Sequence, residues 1–403
     1  MRIKMTGLKK VLTGALALTM CLGATLTTMA GAGGTVGNPA KAHLSKTLRY
    51  AQGLNTPTAT FTFDFEKTSK DGRTDAATLA KIPEIAAQTL TFGAADVGTP
   101  VSGIVNITKS TADLMAGMNW TTADGAGTYV WTVTERGTGF SPATGERMDF
   151  SQASFDLVVK VAYDAASDSY YVESTHTQQT GENNGDAGGA KGGADAGDGT
   201  LGSGDADYNF TFTNIYSKQA GENPGTGAGN NEALAIGKTV AGDGDTGRNF
   251  AFTLTLDDSA VTHTPASYVG TIYNGSTATA TTVSVSAAAQ ATFNLKHGQR
   301  LVFHDVPVGA VINVTETGTP GYRAAISGME TVTAGAIGAN ATTGNAQIAT
   351  GPNVVTFTNT FDTDGNIIPG GVLANNLPFF AMIGAGILVV ALFAVINKRK
   401  AMR

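Results

Sequence analysis

Alternation dominates this chain. In YVWTVTE (129–135), FDLVVKVAY (155–163), NFAFTLTL (249–256) and VVTFTNTF (354–361), large apolar residues recur at nearly every second position. A period of two places the apolar set on one side of an extended strand, ready to be buried against a second sheet. Gly, Asp and Asn clusters separate these runs, as turns require. The chain is 42% hydrophobic and only 14% charged, which is too apolar and too weakly charged for a largely disordered protein. Short alternating strands divided by turns predict an all-β chain of β-sandwich domains. One stretch, AATLAKIPEIAAQTL (76–90), reads as either a short helix or a loop.

The strand candidates fall into two groups. The first contains AHLSKTLRY, TATFTFDFEK, GTYVWTVTE, FDLVVKVAY and YNFTFTNIY. The second contains LAIGKTV, NFAFTLTL, TATTVSVS, QRLVFHDV, AVINVTET and VVTFTNTF. A Gly/Asp/Ala-rich stretch at 179–206 has no apolar period and reads as a flexible loop inside the first group. The domains are therefore expected at 42–217 and 234–362, with a linker at 218–233.

Three polar residues per domain break the alternation on the apolar side. In LSKTLRY, Lys46 shares its face with Leu44, Leu48 and Tyr50; in IGKTV, Lys238 lies between Ile236 and Val240. Glu135 follows Tyr129, Trp131 and Val133 on one face, and Glu316 follows Ile312 and Val314. Asn214 sits among Phe210, Phe212 and Tyr216, and Asn359 among Val355, Phe357 and Phe361. Burying any one of these groups without a partner is costly. Both domains nevertheless place Lys, Glu and Asn inward in the same order.

Burial supplies a chemistry for the set. An apolar setting lowers a lysine pKa and raises a glutamate pKa, so amine and acid can both be neutral. The amine can then attack the Asn carboxamide while the acid polarises its carbonyl and moves a proton. Ammonia leaves and a Lys–Asn isopeptide bond remains. Glu135 and Glu316 are the expected catalytic residues, each used once.

The ends concern export. Residues 1–32 begin with Arg2, Lys4, Lys9 and Lys10, continue apolar from Val11 and close on Ala30, Gly31 and Ala32, the pattern of a secretory signal peptide. Cys21 lies inside it and is the only cysteine. The mature exported chain is thus expected to have no disulfide, the usual staple in that compartment. Residues 377–396 are uncharged and long enough to span a bilayer, and NKRKAMR adds a basic end that should stay cytoplasmic. Between the two ends lie all 32 acidic residues and 18 of the 26 basic ones, a net charge of −14. That balance does not support nucleic-acid binding.

IIPGGV (367–372) precedes the apolar span and resembles the pilin variant of a Gram-positive sortase sorting signal. Ile368 stands where that pattern has valine, Pro369 and Gly371 match, and Gly370 replaces its threonine. Together, the leader, the two Lys–Glu–Asn sets and this signal resemble Gram-positive pilins and related wall-anchored surface proteins. The first domain resembles a pilin isopeptide-linkage domain, although Met148 and Phe150 depart from its usual YD context. The second resembles a collagen-adhesin B-type domain through IGKTV, FHDVPVGAVINVTETGTPGY and VTFTNTF.

The resemblance implies immunoglobulin-like sandwiches, Lys46–Asn214 and Lys238–Asn359 bonds, and a sorting signal at 367–403. It also implies processing by a sortase and covalent attachment to peptidoglycan or to further pilin subunits at a Gram-positive cell wall. No cofactor or metal is implied: DTDGN (362–366) lacks the glutamate of a calcium loop and reads as a turn. His304–Asp305 has no nucleophile motif beside it, so conventional enzyme activity is not expected. Two readings remain, a pilus shaft subunit and a monomeric wall-anchored adhesin or stalk that binds a host or microbial ligand. Polymerisation needs an acceptor lysine, for which Lys191 and Lys218 are candidates.

Overall fold

The structure, a computed structural model, describes residues 34–180, 191–193 (backbone only), 210–226, 231–262, 267–287, 289–329 and 335–362. The expected leader, most of the 179–206 loop, the sorting residues Ile368, Pro369, Gly370 and Gly371, and the 377–396 span lie outside the described residues. Within them, no helix is long and apolar enough to cross a membrane. The chain divides into two compact units, one reaching to Lys218 and including Ser259–Thr264, the other comprising Gln219–Asp258 and the chain from Pro265.

Unit one contains β1 (Ser45–Ala51), β2 (Ala59–Lys70), β3 (Gln88–Phe92), β4 (Pro100–Val101), β5 (Ile104–Ser110) and β6 (Gly127–Glu135). It continues with β7 (Glu146–Asp149), β8 (Ser154–Asp164), β9 (Ser169–Gln179), β10 (Lys191–Gly193) and β11 (Thr211–Lys218). One sheet runs β4–β5–β1–β11–β7 and the other β10–β9–β8–β6–β2–β3. Their inner faces meet at Phe212 of β11, whose ring lies 5.0 Å from Phe63 of β2 and 4.9 Å from Phe155 of β8. Burying each such ring stabilises the sandwich by about 2 kcal/mol.

The ambiguous 76–90 stretch is three things. It opens with a single helical turn, α1 (Ala76–Leu79), whose first turn is capped by Asp75 Oδ1 accepting from the Thr78 N–H at 3.0 Å. Pro83 then disfavours helix at Ile82, and an irregular segment follows. Its carbonyl at Pro83 accepts from Trp131 Nε1–H at 3.2 Å, which satisfies the indole inside the core. β3 begins at Gln88.

Unit two contains β12 (Leu234–Ala241), β13 (Phe250–Asp257), β14 (Ser267–Asn274), β15 (Thr277–Ser286), β16 (Ala291–Leu295) and β17 (Gln299–Phe303). Then come β18 (Val311–Glu316), β19 (Tyr322–Gly328), β20 (Ala341–Thr342), β21 (Ala346–Gln347) and β22 (Asn353–Phe361). One sheet runs β15–β14–β17–β12–β22–β19; the other runs β16–β13–β18–β20, with β21 also on β18. Phe252 of β13 and Phe357 of β22 join the two faces, 5.2 Å apart edge to face.

In both units the first and last strands of the sandwich, β1 with β11 and β12 with β22, are adjacent and parallel. Among the described residues, the other ladders are antiparallel.

Two expectations about loops change. Lys191–Gly193, inside the expected flexible loop, forms an edge strand with His176–Gln178. The expected 218–233 linker is tied down at its described ends. The Ala220 N–H donates to Val306 O at 2.9 Å, and buried Asn231 donates through Nδ2 to Ala220 O at 2.9 Å and His304 O at 2.6 Å. His304 in turn bonds the Asn231 carbonyl through Nδ1. His304 therefore helps hold this stretch of chain in place.

Candidate functional site

Lys46 is carried by β1, Asn214 by β11, and Glu135 by the final position of β6 in the facing sheet. Lys46 stands opposite Phe212 and Leu48 opposite Asn214. The lysine and asparagine are therefore diagonal neighbours on one inner face, two positions out of step. Glu135 reaches both from across the core. Its Oε2 accepts from Lys46 Nζ at 2.7 Å and its Oε1 from Asn214 Nδ2 at 2.6 Å. The Phe61 ring lies 4.7 Å from the amine, and Phe61 comes two residues before Phe63, the partner of Glu135 in the β2–β6 ladder. Lys46 and Asn214 are both 0% exposed.

Unit two repeats this register. Lys238 stands opposite Phe357 and Val240 opposite Asn359. Glu316 ends β18 and pairs with Phe252, two residues after Phe250, whose ring lies 4.4 Å from Lys238 Nζ. Glu316 Oε2 accepts from Lys238 Nζ at 3.3 Å, and its Oε1 accepts from Asn359 Nδ2. Lys238 Nζ also donates to Phe357 O at 3.3 Å. All six residues expected from the sequence are thus brought together, as two sets of three.

Desolvation dominates the electrostatics of both sets. Burial pushes the amines of Lys46 and Lys238 down to about 8 despite the opposing pull of their glutamates. It pushes the Glu135 and Glu316 carboxyls above their ordinary range, against the pull of the lysines. Both shifts favour the neutral amine and the neutral acid, the state in which the pair's one shared proton sits on the carboxyl.

In this arrangement each carboxyl spans the amine and the amide nitrogen. The carbonyl oxygens have separate environments. Asn214 Oδ1 accepts from the Ser151 backbone N–H at 2.6 Å. Asn359 Oδ1 is buried with no hydrogen-bond partner among the described residues. Sequence reasoning also missed Phe61, Phe250 and the Ser151 amide. The aromatics had a partial signal, since both lie on the apolar face of alternating strand candidates, TATFTFDFEK and NFAFTLTL, but only the ladders place them beside a glutamate.

The candidate acceptor lysines are less distinctive. Lys218 Nζ lies 3.3 Å from Glu146 Oε1 and is partly exposed, while Lys191 is placed only as backbone. Asp362, first residue of the DTDGN turn, pairs with Arg323 at 2.8 Å; the rest of that turn lies outside the described residues.

The family described as "Domain of unknown function (DUF7601)" matches residues 232–361. No curated protein matches the chain. Among solved structures, the major pilin from Streptococcus pyogenes is 18% identical, with a TM-score of 0.29, covering 81% of this chain and 99% of that one. The major pilin protein T3.2 from Streptococcus pyogenes is 17% identical, with a TM-score of 0.29 and the same coverage. A pilus-presented adhesin is 12% identical, with a TM-score of 0.27, covering 79% of this chain and 99% of that one. These likenesses are distant, and the functional reading rests on the two sites.

Proposed function

We propose that each unit closes an intramolecular Lys–Asn isopeptide bond, Lys46 to Asn214 and Lys238 to Asn359, and that the chain is a structural subunit of the Gram-positive cell surface. The observation that carries this reading is the repetition: two sandwiches hold buried Lys, Glu and Asn at one register, each beside an aromatic ring. In the reaction, Nζ attacks Cγ of the asparagine. The carboxyl takes a proton from the attacking amine through one oxygen and gives one to the amide nitrogen through the other. The Cγ–Nδ2 bond breaks and ammonia leaves. The product joins the first and last strands of a sandwich, as expected of an immunoglobulin-like isopeptide-linkage domain in unit one and a collagen-adhesin B-type domain in unit two.

Intact-mass analysis of recombinant residues 33–370 tests the chemistry. The fragment should weigh two ammonia molecules less than its sequence, with Glu135→Ala restoring one and Glu316→Ala the other. A wild-type fragment at full mass sinks the proposal. On the cell, the leader and IIPGGV support sortase processing into a pilin-like polymer. A ladder of covalent high-mass species in wall extracts is the expected result, whereas one monomeric wall-bound species favours the adhesin reading.

The shared proton also sets a pH dependence. Below the raised glutamate pKa the pair carries two protons, and an ammonium cannot attack. Above about pH 8 the lysine pair loses its last proton, and the leaving nitrogen has no donor. The rate of ammonia loss should therefore be bell-shaped, with its alkaline limb near pH 8. Unreacted chain recovered from inclusion bodies and refolded across pH would show this by mass against time. A rate that keeps rising past pH 10 would mean that the carboxyl donates no proton.

A further inference from the structure

We infer that the backbone N–H of Ser151 is an oxyanion donor for the Lys46–Asn214 reaction, and that unit one therefore closes its bond faster than unit two. This inference rests on the isopeptide reading and adds an atom to it. Attack on Cγ moves an electron pair onto Oδ1, and the resulting negative charge needs a donor. Glu135 is turned toward the two nitrogens, with Oε2 on Lys46 Nζ and Oε1 on Asn214 Nδ2. The Ser151 N–H is on the oxygen instead, at 2.6 Å. A fixed donor in a site shielded from water strengthens its bond as charge develops and needs no reorganisation.

The surrounding chain explains why this amide is available and held. Ser151 lies in the short connection between β7 and β8, outside the strand ladders. Its own hydroxyl accepts from the Ala153 N–H at 3.1 Å, which folds the connection locally. The Phe150 ring meets Phe61 edge to face at 6.2 Å, and Phe61 is the ring beside the Lys46 amine. One aromatic contact thus links the donor's segment to the ring beside the nucleophile. Unit two offers Asn359 Oδ1 no donor among the described residues. Its Lys–Glu–Asn register matches unit one; the two sites differ at the carbonyl and also at the amine, where Lys238 Nζ lies 3.3 Å from Glu316 and also donates to Phe357 O, so the comparison within unit one carries the test.

The experiment follows both bonds in the full chain after a pulse of in vitro translation, by mass of the cross-linked peptides. At position 151, nonsense suppression introduces lactate, which replaces the N–H with an ester oxygen; Ser151→Ala keeps the amide and is the matched control. The ester should slow closure of Lys46–Asn214 by about 100-fold or more. Ser151→Ala should stay within about two-fold of wild type, a control spread far smaller than the donor effect. Lys238–Asn359 should close at an unchanged rate in the same molecules. Equal rates for the ester and Ser151→Ala overturn the inference while leaving the isopeptide reading intact. If the ester chain does not fold, the wild-type chain decides: bond one should close at least about ten times faster than bond two, a tenth of the full donor effect. Equal or reversed rates overturn the inference. A wild-type chain that never loses ammonia removes the isopeptide reading as well.

Discussion

Lys238→Ala should melt unit two roughly 15–25 °C below the wild-type chain and open it to trypsin. The Lys238–Asn359 bond would close a loop of 121 residues (359 − 238). Cross-linking a loop of that length restricts the unfolded chain by about 5 kcal/mol. For a sandwich of this size, each kcal/mol moves the midpoint by about 3–5 °C. Lys238→Ala has two further effects that act in the same direction. It empties the space beside the Phe250 ring, and it leaves Glu316 buried without its cation.

A second variant isolates the bond. Lys238→Met combined with Glu316→Gln keeps the buried volume and leaves no unpaired charge, yet it cannot react. It should retain most of the loss in midpoint, measured by calorimetry of the same fragment. If the double variant melts with the wild type, packing alone holds unit two, and Lys238 is an ordinary buried strand residue.

Much of the site was legible because it depends on parity. Lys46, Glu135 and Asn214 each fall in step with apolar neighbours, and burial of Leu48, Trp131 and Phe212 carries them inward. What parity cannot supply is which strands lie side by side. The parallel pairing of β1 with β11 comes from long-range closure of the sandwich, with Leu48 set against Asn214. Several strands were missed for local reasons. β9, SYYVESTHTQQ, is largely polar and only partly buried, so no clean alternation marks it. β14 contains Gly270, which reads as a break. The position is packed: a Cβ there would lie 2.8 Å from Leu301 Cδ1 and 2.9 Å from the Phe303 ring. The Ser151 donor is a backbone group, and every residue except proline has one, so only the fold could reveal it.

Pro369→Ala should leave the protein in the membrane fraction with its basic tail attached, whereas the wild-type chain should appear in the wall fraction without it. A sortase needs an extended, accessible substrate, and the described part of unit two provides a firm end just before one. The Asp362 N–H donates to Gly321 O at 2.9 Å, and its carboxylate takes Arg323 through Nε at 3.1 Å and Nη2 at 2.8 Å. IIPGGV begins at residue 367, and Pro369 biases Ile368 toward an extended conformation. The Gly370 carbonyl would form the thioester, and an amine from the wall or from a further subunit would release it. Attachment at that point defines the load on unit two. Tension entering through β22 would shear it against β12, its parallel neighbour and the first strand of the sandwich. The proposed Lys238–Asn359 bond joins those two strands, so the load would pass through a covalent link rather than the ladder. Detergent extraction of wild-type protein with its tail intact would make IIPGGV a juxtamembrane linker and would remove the sortase step.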